Sequence, residues 1–321
     1  MTLILVLMFM RRFVFYFTIS FLFSGCITDY ELKYLDNREK AYSISSLIRP
    51  EEPAELYLTR VGDVGDLSPI TDPEAFKVWI AWNSNGERNS DTLAYSDGRF
   101  IGSHLLQHSL EYSLSVKTPD EKIISAKTVI PPPVAPFGVH LQFPAGFIQL
   151  ENVTGPFSRF KLTLPNVSSG ITYYESMVIE VRENNGINTY RIIKSLNGDT
   201  EVLSENLPSN YLPYFLFQSG SKEEELVLNF DAIQGNALLS DFLFRLTSVS
   251  EDYFLYKKSL YRHLDALEFS SEMEASSLFF PDIFKQIQTV HSNIEGGVGI
   301  FAGYNPTDYP VTCNLSDYAC I

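Results

Sequence analysis

Positive charge is in short supply in this chain: 24 lysines and arginines face 39 aspartates and glutamates, for a formal net charge of −15. A surface so biased repels polyphosphate and anionic lipid instead of displacing their counterions, so nucleic acid is excluded as an expected partner. Local catalytic signatures are missing too. No G-x-S-x-G elbow and no H-E-x-x-H motif occurs, which removes the marks of serine and zinc hydrolases, although a triad assembled from distant residues leaves no such mark. Histidines number five, and His140, His263 and His291 stand isolated, so none identifies a catalytic base. Beyond residue 25 no apolar run approaches membrane-spanning length, and no repeat recurs at a solenoid or propeller period.

What is present begins at Cys26. The dibasic Arg11-Arg12 is followed by the apolar run from Phe13 to Phe23, then by the small residues Ser24 and Gly25 and the cysteine. This reads as a lipoprotein signal peptide over residues 1–25, with Cys26 as the lipid attachment site and mature amino terminus. The alternative is an uncleaved anchor helix, and Phe23 departs from the smaller aliphatic residue usual there. The apolar stretch before Arg11 leaves the translation start open between Met1 and Met10. Several acyl chains on one cysteine exceed the marginal hold of a single chain, so membrane attachment is expected through that lipid. Acidic residues follow at once, in Asp29 and Glu31.

The other two cysteines, Cys313 and Cys320, are separated by six residues near the carboxyl end. In a chain bound for an oxidising compartment they are a disulfide candidate. Two free thiols or a metal pair are the alternatives, although the intervening segment is long for a zinc knuckle and has no histidine beside it.

The patterning predicts a mainly β protein. Residues 26–54 form a tether and first strand. From 55 to 130 short strands alternate with turns: Phe76, Val78, Ile80 and Trp82 run into Asn85-Gly86, Leu93 and Tyr95 into Asp97-Gly98, and Tyr112, Leu114 and Val116 precede Ile124, Ala126, Thr128 and Ile130. Such period-two patterning predicts an antiparallel, Ig-like or transthyretin-like β-sandwich. Pro131-Pro132-Pro133 and Pro136 mark a linker over 131–136. Residues 137–321 are expected to form a second β-rich domain with one principal helix. Its clearest hairpin surrounds Glu183-Asn184-Asn185-Gly186, and its helix is expected to open on a capping box, Ser248 to Glu251, and run to about Ala266 with Tyr253, Tyr256, Leu260 and Leu264 on its apolar face.

The run from Val290 to Tyr304 contains Ser292-Asn293-Ile294-Glu295-Gly296-Gly297-Val298-Gly299-Ile300-Phe301. It resembles the terminal S-N-[IV]-x-G-G-x-G-x-F of a Bacteroidetes lipoprotein family catalogued as domain of unknown function 4249. A lipobox, an amino-terminal sandwich and a strand leading into a tyrosine-rich helix, here Phe242 to Ala266, complete the resemblance over essentially the mature chain. It implies an outer-membrane lipoprotein, often set beside a TonB-dependent transporter, with no assigned catalytic residues; the acidic residues after Cys26 resemble an export tag to the cell exterior, and no cofactor is expected.

Each remaining constellation has a plain structural alternative. Gly296, Gly297 and Gly299 lack dinucleotide-loop spacing and read as a tight turn between strands 289–292 and 298–302, with Phe301 packed against the second domain. His104 and His108 could share a metal, or simply occupy a surface connector. Asp63, Asp66 and Asp72 offer oxygen ligands outside any EF-hand order. Glu223, Glu224 and Glu225 read as strand-edge gatekeepers. Aromatics form 14% of the chain; clusters at 211–217 and 253–256 suit an exposed binding platform or a core. The expected function is therefore non-enzymatic, a binding or accessory lipoprotein for a small-molecule or peptide ligand. The rivals are a surface hydrolase with its site at the domain junction, and a structural or adhesion module.

Overall fold

Asn85 and Gly86 both adopt positive φ, as do Asp97 and Gly98, the conformation that matches a two-residue hairpin turn to the twist of its strands. In this computed structural model the described residues are 41–61, 67–134, 138–150, 153–165, 171–184, 187–192, 195–198, 214–219, 225–233, 241–273, 289–311, 313–314 and 319–320. They belong to a compact unit spanning Lys40–Ile321.

The first half comprises β1 (Ala41–Ile48), β2 (Pro53–Val61), β3 (Leu67–Pro69), β4 (Lys77–Ser84), β5 (Glu87–Ser96), β6 (Arg99–Leu105), β7 (Glu111–Lys117) and β8 (Ile123–Val129). Alternation drives their packing. Ala54, Leu56 and Leu58 of β2, Val78 and Ile80 of β4, and Tyr112, Leu114 and Val116 of β7 point to one core, while intervening residues face outward.

The second half comprises β9 (Gly138–Leu150), β10 (Val153–Pro165), β11 (Thr172–Asn184), β12 (Ile187–Ile192), β13 (Ser195–Gly198), β14 (Tyr214–Ser219), β15 (Glu225–Ile233), β16 (Asp241–Val249), α1 (Glu251–Met273), β17 (Val298–Val311), β18 (Cys313–Asn314) and β19 (Ala319–Cys320). Hydrogen bonding links the strands into a mixed sheet of 13, ordered β12-β11-β16-β17-β1-β2-β6-β5-β4-β7-β8 with β14 and β3 attached beside it, and a smaller sheet of six, β13-β15-β10-β9-β19-β18. A second core lies between the smaller sheet and β11, β14 and β16, and joins Leu141, Phe160 and Leu162 to Phe217, Phe242 and Phe244. Among the described residues no helix is long and apolar enough to cross a membrane.

Strand β17 serves both halves. Its first part runs parallel to β1, Ser46 opposite Phe301, and its second part runs antiparallel to β16, Thr247 opposite Pro306. Phe301 is fully buried in the first core, with Ile44, Leu56 and Leu114. The expectation that it would pack against the second domain is thus corrected: parallel pairing to β1 points its side chain into the sandwich. The segment 289–294 is irregular, not a strand, and two of its main-chain amides meet side chains instead of a neighbouring strand: His291 N donates to Ser259 Oγ at 2.7 Å and Ile294 N to Ser292 Oγ at 3.3 Å. Asn293 Nδ2 donates to Phe301 O at 2.8 Å and its Oδ1 accepts from Phe301 N at 3.0 Å, while Glu295 exchanges main-chain bonds with Ser125 of β8.

The helix differs from expectation in two places. Ser250, not Ser248, caps it, its Oγ accepting from Tyr253 N at 3.3 Å. Ser248 still lies in β16 and donates to Pro132 O at 2.6 Å. The buried face is Tyr253, Phe254 and Tyr261, packed on Leu216, Val249, Ile300 and Ala302, whereas Leu264 is half-exposed.

Candidate functional site

An open cleft of about 780 Å³ lies where the β1–β2 turn, the β6–β7 loop, the proline run and β17 meet; its lining includes Arg49, Glu51, Glu52, Gln107, His108 and Asn305. Main-chain bonds fix its walls. Glu51 N donates to Leu106 O and Leu106 N to Glu52 O, at 2.9 and 3.0 Å, and Ser109 N donates to Ile130 O at 2.7 Å. Tyr112, buried in the first core, sends its hydroxyl up to this loop, where it donates to Gln107 O at 3.0 Å and accepts from Gln107 N at 2.7 Å. This resembles the tyrosine corner of Ig-like sandwiches, in which a core tyrosine holds a loop through its backbone. On the opposite wall Asn305 Nδ2 donates to Pro131 O at 3.1 Å. Bonds of this kind leave the side chains of Gln107 and His108 exposed on a fixed frame.

The cleft lining carries one arginine, Arg49, and two carboxylates, Glu51 and Glu52. Arg49 donates to Glu52 Oε1; that hydrogen bond raises the guanidinium pKa and lowers the Glu52 carboxyl pKa. Outside the lining, Arg245 forms two bonds with Asp308, at 2.6 and 2.7 Å. Beside Arg49, burial pushes the Tyr304 hydroxyl upward and Arg49 pulls it back. The lining therefore offers neutral hydrogen-bonding groups, one ion pair and the exposed Glu51, a set suited to a polar ligand.

The buried carboxylates have structural partners. Asp91 accepts from the amides of Ser103 and His104 at 2.7 and 2.9 Å and from Ser103 Oγ at 2.9 Å. Its Oδ2 occupies the space a side chain at Gly102 would need, so it bonds β6 where that strand leaves β5. Glu180 accepts from Arg182 Nη2 at 2.8 Å and pairs with Arg191 at 2.7 Å. Glu175 is bound by Tyr253 beneath α1.

The sequence candidates are dispersed. Cys26, Asp63, Asp66, Glu223 and Glu224 lie outside the described residues, as does the side chain of Glu225. Asp72 precedes a short 3₁₀ turn and makes no side-chain cap. His104 belongs to strand β6 and bonds Ser103 at 3.1 Å, whereas His108 is in the following turn and lines the cleft. Among the described residues no three His, Cys, Asp or Glu side chains gather to hold a metal. Phe215, Leu216, Phe217, Tyr253 and Phe254 are buried, and Leu255 and Tyr256 pack partly buried against the same core, so the described parts of both aromatic clusters serve packing more than an exposed platform. Gly296 and Gly299 have φ of +79° and +116°, and a Cβ on Gly299 would fall 1.9 Å from Ile44 O. A Cβ on Gly297 would meet Tyr42 O at 2.8 Å. In register, β18 and β19 place Cys313 opposite Cys320. Arg49, Glu52 and Asn305 went unnoticed in the sequence; the only signal was the turn-forming Arg49-Pro50-Glu51-Glu52 between two alternating runs.

Two extended sheets, a single described helix and a cleft at one end of the larger sheet define a mainly β protein with a ligand-sized recess. The chain belongs to the family described as a domain of unknown function, DUF4249, which matches residues 27–309. Among curated proteins none matches this chain. Among solved structures, chitinase ChiA74 from Bacillus thuringiensis is similar at 10% identity and a TM-score of 0.16, over 60% of this chain and 26% of the chitinase. So low a score carries no argument about fold or activity, and this chain spans about a quarter of that protein.

Proposed function

We propose that the protein is a lipid-anchored component of a Bacteroidetes outer membrane, facing the cell exterior, that binds a small-molecule or peptide ligand without chemical conversion and assists a TonB-dependent transporter. The observation that carries the binding role is the cleft bounded by Arg49, His108 and Asn305. Its volume lies within the roughly 300–1,000 Å³ of ligand sites, and its walls are set by backbone bonds that need no rearrangement. The signal-like sequence ending at Cys26 supports the anchor.

The test is to isolate the protein from native membranes, denature it and compare the released small molecules with those from a Gln107→Ala, His108→Ala variant. Both side chains are exposed, and their removal leaves the Gln107 backbone bonds to Tyr112 in place. An organic ligand enriched only with the unaltered protein is expected. Release of the same molecules from both would contradict the cleft assignment, and time-dependent conversion of the enriched molecule would favour the hydrolase rival.

A further inference from the structure

The outward face of the smaller sheet carries a second recess, of about 490 Å³, lined among others by His140, Gln142, Arg159, Lys161, Thr163 and Asn229. Their positions follow from strand alternation. Val139 and Leu141 of β9 and Phe160, Leu162 and Leu164 of β10 turn into the second core, so the residues between them share the opposite face. Register then sets the neighbours: Lys161 lies opposite His140 on one side and Asn229 on the other, and Arg159 lies opposite Gln142 and Asp231. Directly opposed positions place Cβ atoms about 5 Å apart, close enough for two side chains to reach one small group.

The charge of this face runs against the rest of the molecule. In a chain of net charge −15, a cationic lysine would readily find a carboxylate. The carboxylate present, Asp231, is fully engaged by Arg159, which donates to both its oxygens at 2.7 and 2.9 Å. Among the described residues neither Lys161 nor His140 forms an ion pair, and both side chains are exposed. Arg159 and Asp231 neutralise one another and form one edge. Lys161 is left to supply positive charge, with His140, Gln142 and Thr163 around it as hydrogen-bonding groups.

We propose that this recess binds a phosphate group, with Lys161 as the charge-bearing contact and His140 and Thr163 as hydrogen-bond donors. Phosphate suits it because several oxygens on one compact centre can meet donors projecting from adjacent strands. The group can come from a soluble phosphorylated saccharide or from a lipid headgroup. This site is separate from the Arg49 cleft and does not depend on the role proposed for it.

The experiment uses the mature chain with Cys26→Ser, so that no acyl chain contributes. Glucose 1-phosphate, inorganic phosphate and glucose are titrated calorimetrically, and flotation is measured with vesicles of phosphatidylglycerol and phosphatidylcholine against phosphatidylcholine alone. Saturable binding of glucose 1-phosphate or inorganic phosphate, but not glucose, weakened at least tenfold by Lys161→Glu and several-fold by His140→Ala, supports a soluble phosphate ligand. Flotation only with the anionic vesicles, lost in Lys161→Glu, supports a headgroup. Absence of both, or binding that Lys161→Glu leaves unchanged, overturns the proposal. Thermal unfolding of each variant checks folding, and no loss is expected at these exposed positions.

Discussion

The Tyr253 hydroxyl donates to Glu175 Oε2 at 2.6 Å beneath α1, with Lys257 Nζ 3.7 Å from the other carboxylate oxygen. Both partners are buried, so this bond ties the helix to β11 in a setting where an unmet carboxylate is costly. Tyr253→Phe is predicted to lower stability by about 2 kcal/mol, because Glu175 stays desolvated while losing its short bond. Adding Glu175→Gln should recover part of that loss, since the remaining group carries no charge. Denaturant unfolding of the single and double variants measures the coupling, and strictly additive losses would refute it.

Asp91 predicts acid sensitivity in the sandwich. Burial raises its pKa, but the amides of His104 and Ser103 together with the Ser103 hydroxyl outweigh burial and leave it below the ordinary aspartate value. With the folded pKa depressed, its stabilisation is fully present above the unfolded value of about 3.9 and is lost as pH falls through the lower folded value. Asp91→Asn should therefore destabilise the protein at neutral pH by about 2 kcal/mol, with the difference from the parent shrinking below about pH 4. A difference constant with pH would contradict this.

The glycine turn predicts a graded series. Gly299 combines φ of +116° with a Cβ position 1.9 Å from Ile44 O, whereas Gly86 has φ of +82° and open space. Gly86→Ala should cost about 1 kcal/mol through backbone strain alone, and Gly299→Ala distinctly more, because β17 must also move away from β1. Equal melting temperatures for the two variants would show that the close approach between β17 and β1 is unimportant.

Much of the sandwich was legible because each strand there leaves one face in water and the other in the core. Val78, Ile80, Leu114, Val116 and Ile124 advertise their burial by alternation, and Asn85-Gly86 and Asp97-Gly98 advertise their turns. Helix α1 was legible in existence but not in detail. Ser248 matched a capping pattern, yet β16 continues through Val249, and β pairing with β17 outcompetes the local cap. Leu264 matched the helical period, but the face packed on the sheet is Tyr253, Phe254 and Tyr261, and Leu264 is half-exposed. The cleft was illegible because its lining comes from residues 49–52, 106–108, 133 and 305–306, brought together by the parallel β1–β17 and antiparallel β2–β6 pairings, neither of which a local pattern announces.

The register of β18 and β19 predicts the state of the last two cysteines. Directly opposed residues of an antiparallel pair have Cα atoms about 4.5 or 5.5 Å apart, within the range a disulfide spans. With Cys313 opposite Cys320, the mature protein is predicted to resist alkylation at both until it is reduced. A closed loop this short should add about 2–3 kcal/mol before strain, so the bond steadies the terminal strands without determining the fold. Alkylation of both thiols in the unreduced, folded protein would contradict the bridge.

Affinity purification from native outer membranes in mild detergent, through a tag placed after Ile321, tests most directly the proposed lipid-anchored role beside a transporter. Quantitative mass spectrometry of the eluate should recover a TonB-dependent transporter in equimolar amount with a protein that begins at acylated Cys26, and Cys26→Ser should abolish both the lipid and the recovery. A chain with an unmodified, uncleaved Cys26, or a correctly acylated chain that elutes alone while the transporter stays in the unbound fraction, would contradict it.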